Sequence, residues 1–281
     1  MDVRRRQLLR RTGMIGAMVL AGCLGTDSDD GEYSDWEIEE GGPPDIDEWS
    51  LTFADAFDRG SLDTEKWSVG YGWGRETDWT VERIEDSHVD VDDEADNLVL
   101  TVSNPDDYDG FYSGAVNTQD KHYQQHGYWE ARVKIPSEAR GLLPAFWMKP
   151  NDEDWPPEID VLEFFSDTTT SHHNVHYEGC DGVKDDTGFS NPLDADAAEE
   201  FHVFGCEWNE EEVIWFVEDE EVARTSEGNG TDCKYLNNGK PFYTMLNVHV
   251  ANYPWLGGDP ALNDDYPYEY RIDWVRIWER A

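Results

Sequence analysis

Residues 155–165 read Trp-Pro-Pro-Glu-Ile-Asp-Val-Leu-Glu-Phe-Phe. Their β-branched and aromatic content is that of a strand buried on at least one face, yet Glu158, Asp160 and Glu163 put three carboxyl groups into it. Such acids cost on the order of several kcal/mol unless they are wet, hydrogen-bonded or neutral. That is a poor choice for a core and a good one for a reactive site. Side chains alternate faces along a strand, so Glu158 and Asp160 share a face while Glu163, five residues on, belongs to the other. A β-bulge at Val161–Leu162 would return Glu163 to the first face. The spacing therefore predicts one concave groove lined by all three acids.

The remainder of the globular part has the same character. Short apolar runs such as Asn97–Val102, Gly127–Ile135, Phe201–Trp208, Val213–Val217, Phe242–Val250 and Arg271–Trp278 are separated by Gly, Pro, Asn and Asp. In Tyr128–Ile135 the polar residues Glu130, Arg132 and Lys134 fall on alternate positions and would share a solvent face. No window gives a long amphipathic helix, no repeat is visible, and no second domain is marked. Regular short strands without intervening helices predict an all-β chain, an antiparallel β-sandwich of jelly-roll type, occupying residues 48–281 as one domain.

Charge narrows the setting. The chain carries 63 Asp and Glu against 21 Lys and Arg, a net charge of −42, and five of those 21 cations lie in the first eleven residues. Self-repulsion on this scale opposes a compact fold in dilute buffer, whereas near 1 M salt the screening length falls to about 3 Å. A halophilic setting is expected, and nucleic acid or an anionic membrane surface is excluded as partner, because both require a basic face. The N-terminus reads as an export signal. Arg4-Arg5-Arg6-Gln7-Leu8-Leu9-Arg10-Arg11 is a basic region of twin-arginine type, and the apolar stretch at 13–22 is too short to span a bilayer. It ends in Leu20-Ala21-Gly22-Cys23, which resembles a lipobox. Residues 1–22 are thus read as a signal peptide, Cys23 as the lipidation site, and 23–47, acidic and Gly/Pro-bearing, as a solvated tether. Cys180, Cys206 and Cys233 lack CxxC spacing, which argues against zinc; one disulfide or buried free thiols are both compatible with an exported chain.

Two carboxyl groups held together on one face suit cleavage of a glycosidic bond, where retention of configuration requires a nucleophile and an acid/base about 5–5.5 Å apart. The segment Glu158-Ile-Asp160-Val-Leu-Glu163 resembles the Glu-x-Asp-x-x-Glu motif of glycoside hydrolase family 16, the laminarinase-like group with the bulged form. The resemblance extends over roughly 50–281. Phe53-Ala54-Asp55-Ala56-Phe57-Asp58 with Leu62–Trp67 is similar to the family's opening, Gly141–Met148 and Asn174–Tyr177 to the strands flanking the motif, and Asp273–Trp278 to its closing strand. It implies a concanavalin-like jelly roll and gives Glu158 the part of nucleophile, Asp160 that of its hydrogen-bonding neighbour and Glu163 that of acid/base. The charge of Glu158 is then expected to raise the pKa of Glu163.

The same resemblance makes Trp147 the leading sugar-stacking residue and places His176 near the acid/base. Trp73, Trp79, Trp155, Tyr253 and Trp255 stand in loop-like stretches as further sugar-binding candidates. Asp273 corresponds to a position that holds structural calcium in relatives; no cofactor is expected for catalysis. His172-His173-x-x-His176 is not read as a metal site, since adjacent residues on a strand face opposite ways. The resemblance departs at Ala251-Asn252 and at Arg75-Glu76, both near expected sugar subsites. The expected reaction is hydrolysis of β-1,3- or mixed β-1,3/1,4-glucan by an exported, lipid-anchored monomer. A β-galactan hydrolase, a transglycosylase and a non-catalytic glycan-binding envelope lipoprotein are the alternatives.

Overall fold

The computed structural model describes residues 33, 38 and 40–281, apart from 107, 138–139, 152–154, 166, 180–181, 227–238 and 261–265. The expected signal peptide and its Cys23, most of the expected tether, Cys180 and Cys233 lie outside the described residues. No described helix is long and apolar enough to cross a membrane.

The strands are β1 (Trp49–Asp55), β2 (Ser68–Val69), β3 (Glu82–Ile84), β4 (Val89–Asp92), β5 (Asn97–Val102) and β6 (Phe111–Ser113). They continue with β7 (Ala115–Asn117), β8 (Gly127–Lys134), β9 (Leu142–Pro150), β10 (Glu158–Glu163), β11 (Thr170–Glu178) and β12 (Lys184–Pro192). The last five are β13 (His202–Trp208), β14 (Glu212–Val217), β15 (Glu220–Ser226), β16 (Phe242–Val250) and β17 (Tyr268–Arg280). One sheet has the order β15-β14-β13-β8-β17-β5-β4, with β1 also on β17; the other runs β12-β11-β10-β9-β16-β7-β2. Among the described residues, all pairs in both sheets are antiparallel and only the small β3–β6 pair is parallel. The all-β sandwich read from the sequence is the observed fold.

Alternation builds the core. On β9, Phe146 and Met148 point between the sheets while Ala145 and Trp147 belong to a separate cluster on the outer face. Leu246 and Val248 of β16 face inward in the same way and meet Trp129, Phe204, Trp215 and Ile277 from the opposite sheet. The opening segment is locked by Asp55, whose carboxylate accepts from Trp67 Nε1 at 2.9 Å and from the Phe57 amide at 3.0 Å.

Two expectations change on this frame. The segment read as tether is not free to its end. Ile38 packs on the cluster of Tyr128, Phe216 and Trp278, the Gly42 amide donates to Glu130 Oε2 at 2.8 Å, and Arg276 Nη1 donates to the Glu40 carbonyl at 2.7 Å. Glu130, read from alternation as solvent-facing, is fully buried against Arg276 at 3.1 Å, because this N-terminal strap covers it. Asp273 is buried and accepts from Arg132 Nη1 at 2.6 Å and Asn97 Nδ2 at 3.0 Å. Cys206 is a buried free thiol whose pKa burial pushes up.

Candidate active site

The ladder of β10 slips by one residue where the motif requires it. Asp160 pairs with Trp147 on β9, but the next pairs are Leu162 with Phe146 and Glu163 with Ala145. On the other side Asp160 pairs with Asn174 and Glu163 with His172 of β11, again with a shift between them. Val161 and Leu162 consequently both enter the core, with Ile159 and Phe164, while Glu158, Asp160 and Glu163 line one groove. Side chains from two directions hold the backbone at the slip. His173 Nδ1 donates to the Val161 carbonyl at 2.7 Å, and Trp215 Nε1, reaching across the core, donates to the Asp160 carbonyl at 2.9 Å. Burial keeps His173 neutral, with its pKa down to about 4.

The groove has a volume of about 1130 Å³ and is lined by residues from β16 across to β12. Asp160 is 2% exposed, whereas Glu158 and Glu163 are half-buried at the groove surface. Trp155 Nε1 donates to Glu158 Oε2 at 3.2 Å, and Asp160 Oδ2 has no hydrogen-bond partner among the described residues. All three carboxyl groups titrate above their ordinary range. For Glu158 burial is the largest cause, then the charge of Asp160, opposed by His176 and Lys149. Burial, then Asp186, brings Asp160 to about 8. Burial also leads for Glu163, followed by the charge of Asp160, opposed by His176; the neighbouring charge that raises it is that of Asp160, where Glu158 was expected. Such a cluster retains protons at neutral pH, since it cannot hold three uncompensated negative charges out of water.

His176 acts on both glutamates, its charge opposing the raised pKa of Glu163 as well as that of Glu158. Its Nε2 is 3.6 Å from Glu158 Oε1 and 3.4 Å from Asp160 Oδ2, and it pairs in register with Glu158, while His172 stands opposite Glu163. Trp147 lines the groove floor but is only 6% exposed, its Nε1 bonded to Asn247 Oδ1 at 2.7 Å. Open faces come from Trp73 at 46%, Trp79 at 41%, Trp155 at 41% and Trp255 at 46%, all four on the groove. Tyr253 stacks behind Trp255 with ring centroids 5.8 Å apart.

A fold of this kind serves many chemistries, so the comparison with known proteins decides. Residues 75–276 match the family model for glycosyl hydrolases family 16. The chain belongs to that family. It is a glycoside hydrolase, acting on O-glycosyl bonds. A β-glucanase of Rhodothermus marinus is 28% identical over 298 residues, covering 97% of this chain and 96% of that one. An endo-1,3-1,4-β-glycanase of Rhizobium meliloti is 30% identical over 169 residues, covering 60% of this chain and 33% of the longer relative. Among solved structures, the laminarinase catalytic domain of Thermotoga maritima superposes with a TM-score of 0.68 at 27% identity, covering 83% of this chain and 99% of that one.

Sequence reading missed several groove residues. Lys149 places its ammonium 5.1 Å from the Trp73 ring centroid and offsets the charge of Glu158. Alternation from Trp147 could have found it. His249 lines the same groove, backed by Glu82 and Tyr71. No local signal marks that set, because its carboxylate and imidazole are 167 residues apart.

Proposed function

We propose that the protein is a retaining endo-hydrolase of β-1,3- or mixed β-1,3/1,4-glucan, of the bulged group of the family, exported and working in concentrated salt. The observation that carries this reading is the presence of Glu158, Asp160 and Glu163 on one groove, made possible by the slip at Val161–Leu162. Glu163, enclosed and proton-bearing, donates its proton to the glycosidic oxygen as the bond breaks. Glu158, whose negative charge His176 and Lys149 favour, attacks the anomeric carbon and forms a glycosyl ester. Glu163, now ionised, takes a proton from water, whose oxygen attacks the anomeric carbon from the face opposite the ester, breaks the bond to Glu158 and releases its carboxylate. Asp160, protonated below about pH 8, spares Glu158 a second negative neighbour.

Endo action follows from a groove that crosses five strands, with exposed tryptophans on both wings to stack on several sugar rings. Neutral glucan is favoured over sulfated galactan because Glu76, Asp78 and Asp186 line the groove and would repel an anionic chain. The signal-like N-terminus and the lipobox-like Cys23 support export with lipid anchoring. Proton NMR during hydrolysis of a mixed-linkage glucan tests the mechanism: the β-anomer of the new reducing end is expected first. Initial appearance of the α-anomer would contradict a covalent intermediate on Glu158.

A further inference from the structure

The wing of the groove on β16 contains a largely buried histidine, His249, whose ring is held on several sides. His249 Nδ1 lies 3.0 Å from Glu82 Oε1, and the Tyr71 hydroxyl donates to the same oxygen at 2.6 Å. The Val250 amide donates to Glu82 Oε2 at 2.9 Å. The Glu82 side chain is wholly buried. Burial alone would raise its pKa, but the bonds from His249, Tyr71 and Val250 outweigh that and hold the carboxyl below its ordinary value. An ionised acceptor at Oε1 fixes the proton of the imidazole on Nδ1, as in the carboxylate–histidine pairs that orient functional imidazoles elsewhere.

The ring plane is fixed as well. Tyr71 stacks on one face of His249 at 5.1 Å and 24°, Trp79 leans on the imidazole at 4.7 Å, and Tyr71 in turn stacks on Trp73 at 5.1 Å and 9°. Nε2, the ring nitrogen engaged by neither Glu82 nor Tyr71, belongs to a side chain that lines the groove between two exposed tryptophans. His249 thus commits one nitrogen to a buried carboxylate while its side chain reaches the groove wall.

The geometry points to His249 as a specificity-determining residue: its Nε2 accepts a hydrogen bond from a hydroxyl of a sugar ring lying along the groove side of the Trp73–Tyr71–His249–Trp79 run of rings, with Glu82 and Tyr71 as positioning residues. The ring bound there is uncharged, since Glu76 and Asp78 line the same wing. β16 is separated from β10 by β9 alone, so the subsite lies beside the reacting bond and not over it. The proposal rests on the glucan reading above, and adds to it a site for one ring of the chain outside the catalytic carboxylates.

The test uses the full chain carrying Glu158→Gln, which binds without turnover, and tryptophan fluorescence titration with a β-glucan hexasaccharide in multimolar salt. Adding His249→Phe, which keeps an aromatic ring but removes the acceptor, is expected to weaken binding about tenfold, the loss of one oriented hydrogen bond. His249→Gln, which keeps an acceptor, should stay within about threefold of the background. Unchanged affinity in the Phe variant, or an equal loss in the Gln variant, would overturn the subsite. Nitrogen-15 NMR of the His249 ring in the Glu158→Gln protein gives the same answer without altering the site: the Nε2 resonance should move on adding hexasaccharide, and a static resonance at saturation counts against the proposal. Failure of the Glu158→Gln protein to bind any glucan would overturn the substrate reading itself, a result distinct from both.

Discussion

Glu163 stands opposite Ala145, where an unbroken ladder from the Asp160–Trp147 pair would set it opposite Pro144. That displacement by one position separates a groove acid from a buried one. It is held by His173, whose Nδ1 donates to the Val161 carbonyl. In His173→Leu the carbonyl is left without this donor in the core, at a cost of about 1–3 kcal/mol. Thermal melting should show that loss, together with a fall in kcat larger than any change in KM, because the slip positions Glu163 and not the sugar. A change in KM alone would point to a different part for His173.

Asp160 gives a pH signature. Its carboxyl titrates near 8 in the fold against an ordinary 3.8, so the folded protein binds the extra proton between about pH 4 and 8. Stability from this group is therefore greatest on the acid side and falls as pH rises through that window. Asp160→Asn removes the dependence. The variant should melt higher than the parent at pH 8, by about 1–3 kcal/mol, match it near pH 4, and hydrolyse glucan more slowly at both.

Glu130 and Arg276 form a buried pair under the N-terminal strap. Arg276→Met strands the carboxylate and should cost about 3–5 kcal/mol. Burial already brings Glu130 up to about 7, so the loss should be smaller at pH 5, where the carboxyl takes a proton, than at pH 8. Combining Arg276→Met with Glu130→Gln should recover most of the stability in calorimetric melts.

Salt acts through the net charge of −42. Melting temperature should climb steeply between 0.1 and 1 M sodium chloride, as the screening length shortens from about 10 to about 3 Å. A flat melting temperature across that range would remove the argument for a halophilic setting.

What could be read in the sequence followed from local periodicity. Glu158 and Glu163 are an odd number of residues apart, so sharing a face demanded a break in alternation, and the apolar pair Val161–Leu162 was the place where two successive side chains could both enter the core. Trp73, Trp155 and Trp255 were legible as groove residues because they lie in polar, turn-rich stretches. Contacts made at long range were not legible. The pair of Glu82 and His249, the covering of Glu130 by Gly42, and the pairing of His176 with Glu158 rather than Glu163 each depend on strand order and register. The partner of Asp273 was likewise hidden, because Arg132, which pairs with it, is 141 residues away.

Glu158 is the proposed nucleophile, and β-glucan the proposed substrate of its groove. Reducing-sugar release from laminarin and lichenan in multimolar salt, by the parent and by Glu158→Gln, tests that assignment most directly. The parent should cut at least one of the two, and Glu158→Gln should lose at least about a thousandfold in kcat, as expected when a covalent nucleophile is removed. Full activity in Glu158→Gln, or a parent inactive on both glucans, would contradict it.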